Sequence, residues 1–211
     1  MDFLPIVLQH FDFSLQPNNS EEIGVNSAKD HLYPGAHIAT SNPYEHFHHG
    51  IVVDMNTQDL SIIHFWGPHK TDGSIQKTNL PLFLAGSPDK LGKTTRQLYL
   101  INYEHDSFEK RQETINRAKE MLTKTSEVSY DLLQSNCEHF ARYCRTGQWE
   151  SEQINKLIDL LTTELTNIFE LINDANEENT KTMEALIKMV PDTSLDATQK
   201  ELLEKFYEKY E

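Results

Sequence analysis

The run Ser135-Asn136-Cys137-Glu138-His139-Phe140 constrains this chain more than any other, because it opens a helix and sets one of only two cysteines in its first turn. Ser135 and Glu138 stand at capping-box spacing, so each can satisfy the other's backbone N–H, with Cys137 at the second helical position. Free N–H groups and the positive end of the helix dipole favour a thiolate there. A sulfur nucleophile also needs a base and a group to orient that base.

The bases stand about ninety residues upstream. His46-Phe47-His48-His49-Gly50-Ile51-Val52-Val53 is rich in β-branched residues and reads as a strand. Alternation puts His46, His48, Gly50 and Val52 on one side and Phe47, His49, Ile51 and Val53 on the other. Leu60-Ser61-Ile62-Ile63-His64-Phe65-Trp66 reads as the hairpin partner and brings His64 beside that strand. A shift of one residue in register exchanges His48 and His49, so alternation alone leaves both as candidate bases. His46 and His48 share a face but have no third ligand at short range, which argues against a metal site.

These pieces together resemble the lecithin:retinol acyltransferase-like family, which includes the H-Ras-like suppressor phospholipases and acyltransferases. The matching segments are Pro34-Gly35, His48-His49-Gly50-Ile51, Ile63-His64-Phe65, Asn136-Cys137-Glu138-His139-Phe140 and Arg145-Thr146-Gly147, spread over residues 33 to 150. The resemblance implies an α+β fold of the permuted papain-like (NlpC) type, with an antiparallel sheet packed on the cysteine helix. It implies an enzyme that takes an acyl group from a glycerophospholipid as a thioester and passes it to water, an alcohol or an amine. On the matching positions, Cys137 is the nucleophile, His48 the general base and His64 the third, orienting residue. No cofactor and no metal is implied. The chain departs from the family in a longer connection between the two histidine strands, which contains Asp54, Asn56, Gln58 and Asp59. Cys/His chemistry on such a fold also serves peptidases and deamidases, and a scaffold of this kind can act as a protein-interaction module without turnover.

Charge narrows the partners. The net charge is −14, and residues 151–211 hold 14 acidic against 6 basic side chains, or −8 of it. That balance argues against nucleic acid and against electrostatic adhesion to anionic lipid, so peripheral membrane contact has to be apolar or local. No run of about 18 apolar residues is present to span a bilayer. Asp2 stands where a signal peptide would be basic, and the expected setting is a reducing cytoplasm. Cys137 and Cys144 are seven apart on one helix face, roughly 10 Å along the axis and too far to bridge, so Cys144 reads as a core residue.

The chain divides on this reading into an N-terminal extension (1–30), a catalytic domain (31–150) and an acidic helical extension (151–211). In the first part, Phe11 to Leu15 alternate at period two and suggest an added edge strand. In the second, strands are expected near 36–40, 47–53, 61–66 and 97–103, with a helix near 107–122 that puts Phe108, Ile115, Ala118 and Leu122 on one face. In the third, apolar residues recur at three and four from Ile154 to Ile172, and Pro191 precedes a last amphipathic helix that offers a docking face for a protein partner. Gly86 with Gly92-Lys93-Thr94 has five residues between the glycines where a phosphate-binding loop has four, and a strand follows it instead of a helix, which excludes that motif. For an oxyanion, the Cys137 backbone N–H is the donor to expect, with Tyr44 either a second donor or a loop aromatic.

Overall fold

A computed structural model describes residues 3–42, 45–55, 59–66, 73–93, 96–131 and 134–172, with 197 and 200. Six strands form one antiparallel sheet: β1 (Ser20–Ile23), β2 (His37–Ser41), β3 (His48–Met55), β4 (Leu60–Trp66), β5 (Ser74–Asn79) and β6 (Gln97–Ile101), in the order β1-β6-β2-β3-β4-β5. The helices are α1 (Phe3–His10), α2 (Ala28–His31), α3 (Leu80–Ala85), α4 (Phe108–Thr123), α5 (Cys137–Thr146) and α6 (Glu152–Ile172). The fold class is α+β, as the sequence leads one to expect.

The central strand β3 is buried from His48 to Val53 because both faces of the sheet are covered. Ile51, Val53, Ile63, Phe65 and Ile75 pack with Ile115 and Ala118 of α4 and with Phe140, Ala141 and Cys144 of α5. On the other face Val52, Leu60, Ile62 and Leu98 pack with Leu80, Phe83 and Leu84 of α3. Gly50 is required on that second face, since a Cβ there would lie 2.7 Å from Ile62 Cγ2 and 2.9 Å from Phe83 Cε2. The chain forms two compact units, Gln16–Gln153 and Met1–Leu15 with Ile154–Glu211. The first contains the whole sheet and every candidate site residue.

Several expectations are corrected. The N-terminal edge strand is Ser20–Ile23, not Phe11 to Leu15: Phe3 to His10 are helical, and the Phe11 and Phe13 N–H groups bond back to the Val7 and Leu8 carbonyls, so they are spent on ending α1. Phe108 is 71% exposed, because the face of α4 that meets the sheet begins only at Thr114. Strand β5 and helix α3 were not expected. Within β5 only Ile75 is buried, since an edge strand needs little apolar patterning, and six-residue α3 is too short for a period. Its boundaries do carry local signals: Asn79 Oδ1 accepts from Leu82 N at 3.0 Å, and Gly86 ends the helix at φ 73°. Tyr44, most of the β3–β4 connection and the segment around Pro191 lie outside the described residues.

Candidate active site

The helix bearing the cysteine starts one residue later than its capping-box spacing suggests. Asn136 is the cap: its Oδ1 accepts from the backbone N–H of Glu138 at 2.9 Å and of His139 at 3.1 Å, and His139 Nδ1 accepts from Asn136 N at 3.4 Å. Ser135 cannot fill that role because its backbone pairs in both directions with Asp131. Cys137 is therefore the first helical residue, and its own N–H is one of the first-turn donors that have no carbonyl partner within the helix.

The sheet explains where the sulfur sits. Val52 bonds through both backbone groups to Gly35 and Ala36, so even-numbered residues of β3 direct their backbone toward β2 and odd-numbered residues toward β4. Pairing with β4 stops at Gly50–His64, which leaves the backbone of Phe47 and His49 open on that side. Cys137 and Gln153 fill the gap. Cys137 Sγ lies 3.7 Å from the Phe47 carbonyl oxygen and receives a hydrogen bond from the His49 N–H. Gln153 acts as a substitute strand partner, accepting from Phe47 N at 2.6 Å and donating to Phe47 O at 3.1 Å. The sulfur is thus held by backbone groups on either side of His48. Burial pushes the Cys137 thiol up to about 12, against the opposing pull of those N–H groups, so the resting side chain is a thiol.

Alternation puts His48 on the face of Gly50 and α3, and the structure joins it to His64. His48 Nε2 lies 2.7 Å from His64 Nδ1, and His64 Nε2 lies 2.8 Å from Thr78 Oγ1. Phe83 packs against both imidazoles, with ring centroids 5.1 and 5.3 Å away. Burial, and for His48 the neighbouring His64 and Arg96 as well, holds both below the ordinary imidazole value, His64 at about 3. His48 Nδ1 makes no hydrogen bond among the described residues. Neither histidine is hydrogen-bonded to Cys137, whose S–H is directed at the Phe47 carbonyl.

His49 projects to the opposite face and has different company. Its Nδ1 lies 2.8 Å from His37 Nε2, and its Nε2 lies 3.0 Å from Gln153 Nε2. His37 Nδ1 continues to the Tyr103 hydroxyl at 2.8 Å, so both nitrogens of both rings are occupied. Beside them the Glu138 carboxylate accepts from Ser151 Oγ at 2.5 Å and from Gln153 N at 2.9 Å. Burial pushes Glu138 up, but His49, Ser151, the Gln153 N–H and Arg142 together hold it below its ordinary value. Cys144 is a buried free thiol among the α4 and α5 side chains.

With this geometry in view, comparison with known families is informative. The lecithin retinol acyltransferase family model matches residues 30–150, more than half of the chain. The chain belongs to that family. Comparison with curated proteins and with solved structures gives no match. Membership agrees with the papain-like α+β architecture seen here, a sheet packed on a cysteine helix, and points to acyltransferase- or phospholipase-type activity on lipid acyl donors. No helix among the described residues is long and apolar enough to cross a membrane.

Three polar residues at the site escaped the sequence reading. Thr78 lies on a strand with no apolar pattern, Gln153 falls just past the matched segment, and His37 sits in an ordinary β-branched run. Only His37 carried a signal that sequence reasoning uses, a titratable side chain two residues after Gly35. The roles of all three depend on partners 12 to 106 residues away in the chain.

Proposed function

We propose that the chain is a thiol-dependent acyltransferase or phospholipase A of glycerophospholipids, with Cys137 as nucleophile, His48 as general base and His64 as the residue that orients it. The observation that carries this reading is that His48 Nδ1 has no hydrogen bond among the described residues while the sulfur is anchored by the backbone of the residues on either side of His48. His48 acting through Nδ1 carries its proton on Nε2 and donates it to His64 Nδ1; His64 then donates from Nε2 to Thr78 Oγ1. That chain of donors leaves the Nδ1 lone pair to accept the thiol proton.

Thiol and imidazole are both neutral at rest, so the proton moves as the bond forms. Rotation of the S–H from the Phe47 carbonyl to His48 lets Nδ1 take the proton while sulfur attacks the ester carbonyl carbon. The electron pair displaced onto the carbonyl oxygen is met by the Cys137 N–H at the helix N-terminus. Collapse of the tetrahedral species expels the lyso-lipid alkoxide, which takes the proton from His48 and leaves a thioester. Water, an alcohol or an amine then attacks the thioester under the same base and regenerates the thiol. The two free thiols suit a reducing compartment, with access to lipid at a membrane surface.

Intact mass spectrometry after incubation with short-chain phosphatidylcholine tests the reading. Wild type is expected to gain the mass of one acyl group, and Cys137→Ala is expected to gain none and release no fatty acid. Lipid turnover by Cys137→Ala would refute the mechanism. Labelling by a peptide or amide substrate without labelling by lipid would move the chain to amide chemistry on the same residues.

A further inference from the structure

The acyl-transfer reading leaves open how a phospholipid is told from any other ester, and the inference drawn here rests on that reading. Leu98, Thr40 and His48 form a row across β6, β2 and β3 on the face that α3 covers. Arg96 precedes Leu98 by two residues and so continues on that face, one step past the row. β6 and β3 both run antiparallel to β2, hence that step leads toward the same strand ends as Phe47 and the sulfur.

The guanidinium is set in place by the backbone. A Cβ on Gly86 would lie 3.0 Å from Arg96 Nη1 and 3.2 Å from Cζ, so the group lies directly on the glycine that ends α3. The Gly86 carbonyl oxygen in turn accepts from the Trp66 indole at 2.6 Å, and the Trp66 ring neighbours His64. Arg96 is thereby fixed at the rim of the histidine pair, and its charge reaches His48.

What the guanidinium lacks is a matching acceptor. Its one ionic neighbour among the described residues is Glu45, with Nη2 and Oε2 3.9 Å apart, beyond hydrogen-bond length. Glu45 instead accepts from Asn42 Nδ2 at 3.0 Å. The Arg96 side chain is only 18% exposed, so a planar fork of five donors is largely withdrawn from water with no hydrogen-bonded partner among the described residues. Phosphate oxygens match that fork in two parallel hydrogen bonds, which a neutral ester cannot offer.

We propose that Arg96 binds the phosphodiester of the acyl donor, displacing Glu45, and thereby selects glycerophospholipids over neutral glycerides. The full-length protein is assayed with two soluble donors of equal acyl length, diheptanoyl-phosphatidylcholine and diheptanoylglycerol. Arg96→Gln is expected to raise KM for the phospholipid about tenfold or more with kcat within about threefold, and to change kcat and KM for the diacylglycerol by no more than about threefold. Arg96→Lys should recover part of the loss, and Glu45→Gln should lower KM for the phospholipid alone. Glycerophosphocholine should inhibit wild-type hydrolysis of diacylglycerol, better than inorganic phosphate does, and should not inhibit Arg96→Gln. Equal losses on both donors would make Arg96 a support for His48 and overturn the proposal, as would unchanged kinetics on both. Stronger inhibition by inorganic phosphate would overturn it in favour of a bare anion site. A wild type inactive on both donors would refute the acyl-transfer reading itself, and this inference with it.

Discussion

Two histidine pairs flank the central strand, and they differ in one nitrogen. On the α3 face, His48, His64 and Thr78 form a chain that leaves His48 Nδ1 without a hydrogen bond among the described residues. On the α4–α5 face, Gln153, His49, His37 and Tyr103 form a chain that uses all four ring nitrogens. Both pairs are buried and held neutral, and His48 and His49 are adjacent in sequence. Burial and a lowered pKa therefore do not by themselves distinguish a base from a strut; on the mechanism proposed above, the open lone pair of His48 does.

The comparison can be broken most directly at His48. Substitution His48→Gln removes the one ring nitrogen of the two pairs that has no hydrogen bond among the described residues, and turnover of phosphatidylcholine is expected to fall about 10²- to 10⁴-fold with KM little changed. The matched substitution His49→Gln is expected to keep kcat within a few-fold. It breaks a buried chain instead, at a cost of about 1–3 kcal/mol in urea unfolding. Reversal of the two results would exchange the roles of the pairs.

Acid sharpens the shared property. Each of the four imidazoles is held below its unfolded value near 6.5, so between the folded and unfolded pKa values the unfolded chain binds more protons. Stability should therefore be fully present above about pH 6.5 and be lost steadily as the pH falls toward 3, where His64 titrates in the folded state. Urea midpoints measured from pH 7.5 to 4 check this, and His49→Gln should shallow the slope. A flat profile would mean that the imidazoles are solvated.

The smallest effect is expected at Thr78, which is hydrogen-bonded to His64 and not to Cys137. Thr78→Val removes the last acceptor of the His48 chain and should lower kcat about threefold to tenfold while shifting the acid limb of its pH profile. An unchanged profile would show that His64 needs no third member.

Local physics made much of this legible in the chain. The alternation of β3, the apolar run of β4 and the helical onset near Cys137 depend on residues within a few positions of one another, and all three appear where the sequence puts them. The cap itself was misplaced by one residue, because Ser135 and Asn136 are both good caps and the choice is made by Asp131, whose bridge claims the Ser135 backbone. Phe11 to Leu15 failed for a similar reason, since a period-two pattern five residues long weighs little against the hydrogen-bonding needs of the helix before it.

The α+β class came with the family resemblance; by itself the sequence determined the position of one cysteine at a helix start and the placement of neighbouring histidines on opposite faces of a strand. These follow from backbone period and hydrogen bonding within a turn or a pleat. Only the tertiary structure decided which histidine keeps a free nitrogen, which backbone groups hold the sulfur, and that Thr78, Gln153 and Arg96 stand beside them. Each of those outcomes depends on where one strand stops pairing and what fills the gap, and that is settled by packing between segments far apart in the chain.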